Sequence, residues 1–269
     1  MKMLKFVLFL FVAIGFTGCL DINEKIDLRK DGSGAVTMDM DMSQMLDLLQ
    51  TYMGKDELEK KGISKMDTTI NMKDILDSAK TMPADKKALL SAGTVHIKLD
   101  MDAKVFTTHM KFPFSNQENL QKLYAALGDG SLGSSQLLSG LGGGDSSAGG
   151  GLGGGLGGGL GGGIGGGAPD LNQFNGIYDF TCHDGLMSKK VNQDKWKALQ
   201  NDPQLAQVKQ AAQMGMEINY TTTIVLPRPV KKIDNATATL SDDKKTVVMK
   251  FNLINAFEHP EQFEYTIAY

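Results

Sequence analysis

Two histidines, His96 and His109, are the pair in this chain whose spacing brings reactive side chains together. The segment Val95–Phe112 alternates apolar and polar residues, which predicts a β-hairpin turning at Asp102-Ala103. In that register Leu99 faces Phe106 and Val95 faces Met110, so one face is apolar. The same register sets His96 directly opposite His109 on the polar face. Cross-strand Cβ atoms lie about 4.5–5.5 Å apart, close enough to share a metal ion or to repel when both rings are protonated. Two imidazoles without a third donor make a poor metal centre. The pair is read as a weak candidate site, and neither a bound metal nor a cofactor is expected.

Other chemistry fails on spacing. "MDMDM" (Met38–Met42) offers thioethers that could suit a soft ion such as Cu(I). As a strand, however, it puts its methionines on the core face and Asp39 and Asp41 in water. An EF-hand loop starting at Asp39 would need glycine where Gln44 stands and glutamate where Gln50 stands. Cys182 and His183 are adjacent, so in a strand they point to opposite faces and form no nucleophile–base pair. No G-x-S-x-G, H-E-x-x-H or C-x-x-C occurs. Asp67-Thr68-Thr69 and Asp77-Ser78-Ala79 match a three-residue O-glycosylation pattern, one short enough to arise by chance. No catalytic residue is assigned, and the chain is read as a non-catalytic protein. The alternatives are an envelope enzyme of unknown reaction or a structural partner in an outer-membrane complex.

The N-terminus is more informative. Lys2 and Lys5 precede an apolar run from Phe6 to Phe16, which is too short to span a bilayer but suits an export signal. "FTGC", Phe16 to Cys19, resembles a bacterial lipobox, with Phe16 in the place of the usual leucine. The resemblance implies removal of residues 1–18 and acylation of Cys19. Each buried CH₂ contributes about 0.8 kcal/mol, so several acyl chains anchor firmly where one would not. Leu20 stands where an aspartate would imply retention in the inner membrane, so the outer membrane is expected. Cleavage reduces 28 basic residues to 26 against 31 acidic ones, a net charge of −5 that disfavours nucleic acid as a partner. With Cys19 acylated, Cys182 has no thiol to pair with.

Between Gly151 and Gly167 the chain reads "GLGGGLGGGLGGGIGGG". A helix here would lose about 0.8–1 kcal/mol for each of its glycines. Burial of Leu152, Leu156, Leu160 and Ile164 would return at most about 1.5–3 kcal/mol apiece. A phosphate loop would need a preceding strand and a Lys-Ser/Thr pair. The segment 128–168 is therefore expected to be a flexible insert between two parts of one domain, 19–127 and 169–269. Long loops close at small entropic cost, about 0.6 kcal/mol per doubling of length, so such an insert is tolerable.

The remaining patterns predict an α+β fold of antiparallel hairpins covered by several helices. A hairpin runs from Ile22 to Met42 around Asp31-Gly32 and Gly34. A helix capped by Ser43 ends at Gly54, shorter ones cover Met72–Lys80 and Ala84–Ala92, and Ser115 with Glu118 forms a capping box for the next. After the insert, Ile177–Cys182 is a strand, and Asp194–Gln200 and Gln204–Met214 are helices. Ile218–Leu226 is a strand, Ala236–Leu240 pairs with Thr246–Leu253, and Phe263–Tyr269 closes the chain as a strand. An integral β-barrel is disfavoured, because the amphipathic helices leave too few long strands. "FTGCLDINEKIDLRKDGSG" resembles uncharacterised bacterial lipoproteins in which the acylated cysteine leads into a hairpin with a D-G-S-G turn. More loosely, the layout is similar to the LppM-like lipoproteins, which implies a lipid-binding αβ domain. Taken together, the expectation is an envelope lipoprotein that binds an apolar ligand or a protein partner.

Overall fold

The computed structural model describes residues 20–60, 65–78, 82–129, 171–201, 205 and 217–269. The export segment, Cys19, the insert beyond Asp129 and the helix foreseen over 204–214, apart from Leu205, lie outside the described residues. So does Ala79 of the second glycosylation pattern.

Alternation builds the first hairpin. Strands β1 (Leu20–Leu28) and β2 (Gly34–Asp41) pair antiparallel, with Ile22, Ile26, Leu28 and Val36 buried and Asn23, Lys25 and Asp39 exposed. Gly32 occupies the turn at φ +81, and the Asp31 carboxylate accepts the Ser33 backbone N–H at 3.0 Å. Gly34, expected in the turn, instead opens β2. A Cβ there would lie 1.9 Å from the Asp27 carbonyl oxygen and 2.5 Å from the Phe114 ring, so close strand packing selects the glycine.

Helices α1 (Ser43–Met53) and α2 (Lys55–Lys60) follow, separated by Gly54 at φ +79 as the sequence suggested. Ser43 is not the cap. Met42 holds that position, and the Ser43 hydroxyl accepts the Phe106 N–H at 3.0 Å, a tertiary contact that outcompetes local capping. Next come β3 (Met66–Asn71), α3 (Met72–Ser78), α4 (Ala84–Leu90), β4 (Thr94–Asp100) and β5 (Val105–Phe114). Strand β3 was not foreseen. It includes Asp67-Thr68-Thr69, which therefore lies on a sheet edge. Helix α5 (Gln117–Gly128) starts one residue later than the proposed capping box requires. Asn116 caps it by accepting the Asn119 N–H at 2.8 Å, while Glu118 pairs with Lys122 at 2.6 Å.

The chain re-enters as α6 (Leu171–Gly176), β6 (Tyr178–His183), β7 (Leu186–Val191) and α7 (Gln193–Gln200). Strands β8 (Ile218–Val225), β9 (Lys232–Ile233), β10 (Thr239–Leu240) and β11 (Thr246–Asn252) follow, then α8 (Leu253–Ala256) and β12 (Tyr265–Ala268). The β10–β11 pairing is the expected one, but begins at Thr239 and not Ala236. Phe263, expected in the last strand, sits in a 3₁₀ turn (Pro260–Phe263) before it. Strands β7 and β9 were also missed.

These elements form an α+β fold. The larger sheet has the order β10-β11-β8-β1-β2-β5-β4-β3 and is open, with β10 and β3 at its edges. All its pairings are antiparallel except β1 with β8, which joins chain from before and after the insert in one sheet. A four-stranded sheet, β6-β7-β12-β9, shares a core with its inner face: Met187, Tyr265 and Ile267 belong to the same apolar cluster as Ile26, Ile224 and Val247. A second cluster gathers Phe174, Tyr178, Tyr220, Phe257 and Phe263. No helix among the described residues is long and apolar enough to cross a membrane.

The ends of α5 and α6 meet backbone to backbone, since a Cβ on Gly176 would stand 2.0 Å from the Gly128 carbonyl oxygen. Overpacking of this kind costs about 1–3 kcal/mol. Gly176→Ala is expected to lower the thermal midpoint by several degrees. An unchanged midpoint would mean that the two helix ends are not in contact.

Candidate functional site

The expected hairpin register is observed: Leu99 pairs with Phe106, Val95 with Met110 and His96 with His109. What the sequence did not reveal is a carboxylate on each outer side. β2 brings Asp39 opposite His109, and their Oδ1 and Nδ1 are 2.5 Å apart. β3 brings Asp67, whose Oδ1 lies 2.8 Å from His96 Nε2. Hydrogen bonding to His96 is the main cause that holds the Asp67 carboxyl below its usual range. Each imidazole is thus drawn toward a carboxylate on the strand beyond it. Among the described residues, no group of three or more His, Cys, Asp and Glu side chains is arranged to hold a metal ion.

The histidines stand on a broad polar surface. Along their row the outward residues are Lys250, Thr221, Asn23, Asp39, His109, His96 and Thr69. The neighbouring row carries Thr223, Lys25, Thr37, Lys111 and Thr94. This side of the sheet is polar because helices and the smaller sheet occupy the other side, where alternation sends the apolar residues. Met38 and Met40 point inward, half-buried, while Asp39 and Asp41 are exposed.

A second polar constellation lies inside. Alternation along β1 directs Glu24 inward between Ile22 and Ile26, and it is buried. Its carboxyl accepts the Tyr124 hydroxyl at 2.6 Å and the Thr222 hydroxyl at 3.1 Å. Facing it across the core, Lys189 of β7 is also buried. Its Nζ donates to Asn175 Oδ1 at 3.2 Å and lies 4.7 Å from the centre of the Tyr178 ring. Burial pushes the Lys189 amine below its ordinary pKa, and the charge of Glu24 opposes that shift. Asn175 in turn donates to the Tyr220 hydroxyl at 3.4 Å, and the Tyr124 ring stacks on Phe180 at 4.1 Å. This network ties the two sheets and α5 together with directional bonds, which fixes how they pack. Sequence reasoning missed Glu24, although its place between Ile22 and Ile26 on an alternating strand is the signal that could have found it. Lys189 left no such signal, because β7 (LMSKKV) has only a weak alternation.

Cys182 and His183 diverge as their adjacency requires: the thiol is buried and the imidazole exposed. Burial pushes the Cys182 thiol up to about 11, against a smaller opposing effect of its hydrogen bond with Tyr269. It is protonated at neutral pH and unsuited to nucleophilic attack.

At the N-terminal end, Cys19 itself lies outside the described residues, but its neighbour is already folded. Leu20 pairs with Ile218, and its N–H donates to the Glu217 carbonyl at 3.3 Å. Compared with known proteins, this chain matches no family model, no curated protein and no solved structure.

Proposed function

We propose that this protein is a bacterial envelope lipoprotein, anchored to the outer membrane through acylated Cys19, that acts as a non-catalytic binding module. The observation that carries this reading is the FTGC segment after an export-like run, one residue before the first hydrogen-bonded residue of the central sheet. A folded domain that begins directly after an acylation signal suits a protein displayed on a membrane surface. The open polar face of the larger sheet supports a protein partner over an apolar ligand, since its outward rows present hydrogen-bonding groups and charges.

Replacing the thiol tests the anchor. Cys19→Ala is expected to abolish incorporation of labelled fatty acid and to move the exported protein from the membrane fraction to the soluble one. Cys19→Ala protein that still requires detergent for extraction would overturn the reading.

A further inference from the structure

The rows of the sheet nearest the anchor can be identified from the register. Asp21, two residues beyond Cys19, pairs with Asp41 at the end of β2 and with Asn219 near the start of β8, and Asn219 pairs with Asn252 at the end of β11. These residues, with the turn between β4 and β5 and the start of α1, form one end of the molecule. The opposite end carries the Arg29–Ser33 turn. β1 has nine residues, so at about 3.3 Å per residue the two ends are roughly 25–30 Å apart.

We infer that the protein stands on this end, with the Leu20–Asp41–Asn252 rim against the headgroup layer of a zwitterionic bilayer and the Arg29–Ser33 turn pointing away. The inference rests on acylation of Cys19. Consecutive Cα atoms are about 3.8 Å apart, so the first sheet residue cannot stray from the anchored cysteine. Tipping the domain over to lay its outer face on lipid is opposed by that face's composition: Asn23, Asp39, His109 and Lys111 would lose water and bury no apolar area. The rim is not built to seek anionic lipid. Asp21, Asp41 and Glu217 lie beside the anchor, and three lysines near the rim are engaged by carboxylates, Lys55 by Asp102, Lys65 by Asp100 and Lys104 by Asp47, which leaves the exposed Lys98 facing that acidic row. Attachment then depends on the acyl chains, and the short link from Cys19 to Leu20, with the polar outer face opposing tipping, sets which end faces the membrane.

Depth-dependent quenching tests the orientation. Gln44→Cys, exposed at the start of α1, and Lys30→Cys, exposed in the far turn, each receive a fluorophore in the full-length lipidated protein. Cys182 is buried with a raised pKa, so labelling goes to the introduced thiol. The proteins are reconstituted in phosphatidylcholine–phosphatidylethanolamine vesicles containing a headgroup-spin-labelled lipid, and the acyl mass on Cys19 is verified first. The label at 44 is expected to be quenched several-fold more than the label at 30. A spacer of ten Gly/Ser residues between Cys19 and Leu20, with a root-mean-square span of about 17 Å, should largely erase the difference. Added phosphatidylglycerol should not increase quenching at 44. Equal quenching at both positions of acylated protein, or stronger quenching at 30, would overturn the orientation alone. Absence of the acyl mass would overturn the anchor and the orientation with it.

Discussion

Raising the pH above about 10 is expected to unfold this protein in a steep transition. Tyr178, Tyr220 and Tyr265 are buried, and Tyr124, half-buried, directs its hydroxyl at Glu24. Burial is the leading cause that raises the pKa of all four. An acid whose folded pKa is raised leaves stability untouched below its unfolded pKa and removes it as the pH climbs past that value. Each such tyrosine withdraws up to about 1.4 kcal/mol per pH unit above pH 10, so four withdraw roughly 5–6. A domain stable by about 5–15 kcal/mol is exhausted within a few pH units at most. The Cys182 thiol acts earlier, costing stability between its ordinary value and about 11. Lys189 works in the opposite sense: its lowered pKa is a cost at neutral pH that is relieved as the amine deprotonates. One lysine does not offset four tyrosines. Tyrosinate absorbance should therefore rise together with the loss of far-ultraviolet circular dichroism. Gradual ionisation of these rings with the dichroism intact would show that they are not buried as described.

The largest effect of a single substitution is expected at Glu24. Glu24→Leu removes the acceptor of the Tyr124 and Thr222 hydroxyls and leaves Lys189 buried without its compensating carboxyl. Leaving two buried hydroxyls without their acceptor costs about 1–3 kcal/mol each, and the loss of an opposing charge near a buried amine adds to it. Lys189→Met in the Glu24→Leu background should recover part of that loss, with a coupling of about 1–3 kcal/mol, because the stranded amine is then gone. Urea denaturation of the four members of the cycle measures it. Additive effects, within about 0.5 kcal/mol, would mean that the two residues do not sense each other across the core.

Much of the local structure was legible. The His96–His109 register followed from matching Leu99 with Phe106, because a one-residue slip would have sent every apolar side chain of that hairpin into water. Gly54 and Gly32 could be placed as helix stop and turn from the positive φ each supplies. Capping was less accurate. Ser43 and Ser115 both have the right chemistry, but the Ser43 hydroxyl is taken up in accepting the Phe106 N–H, and Asn116 supplies the oxygen that accepts the Asn119 N–H at the start of α5. Strand β3 went unseen because Met66–Asn71 has only Met66 and Ile70 as large apolar residues, and an edge strand needs no more.

The residues by themselves determined the α+β class and the two-histidine row, because each depends on spacing within short segments. Only the tertiary structure could decide that β1 pairs parallel with β8, nearly two hundred residues away in sequence, since no local pattern distinguishes one apolar strand edge from another. The same long-range pairings brought Asp39 and Asp67 to the two histidines and set Lys189 across the core from Glu24. Contacts between strands distant in the chain are selected by the packing of the whole core, and that selection leaves little trace in the spacing of any one segment.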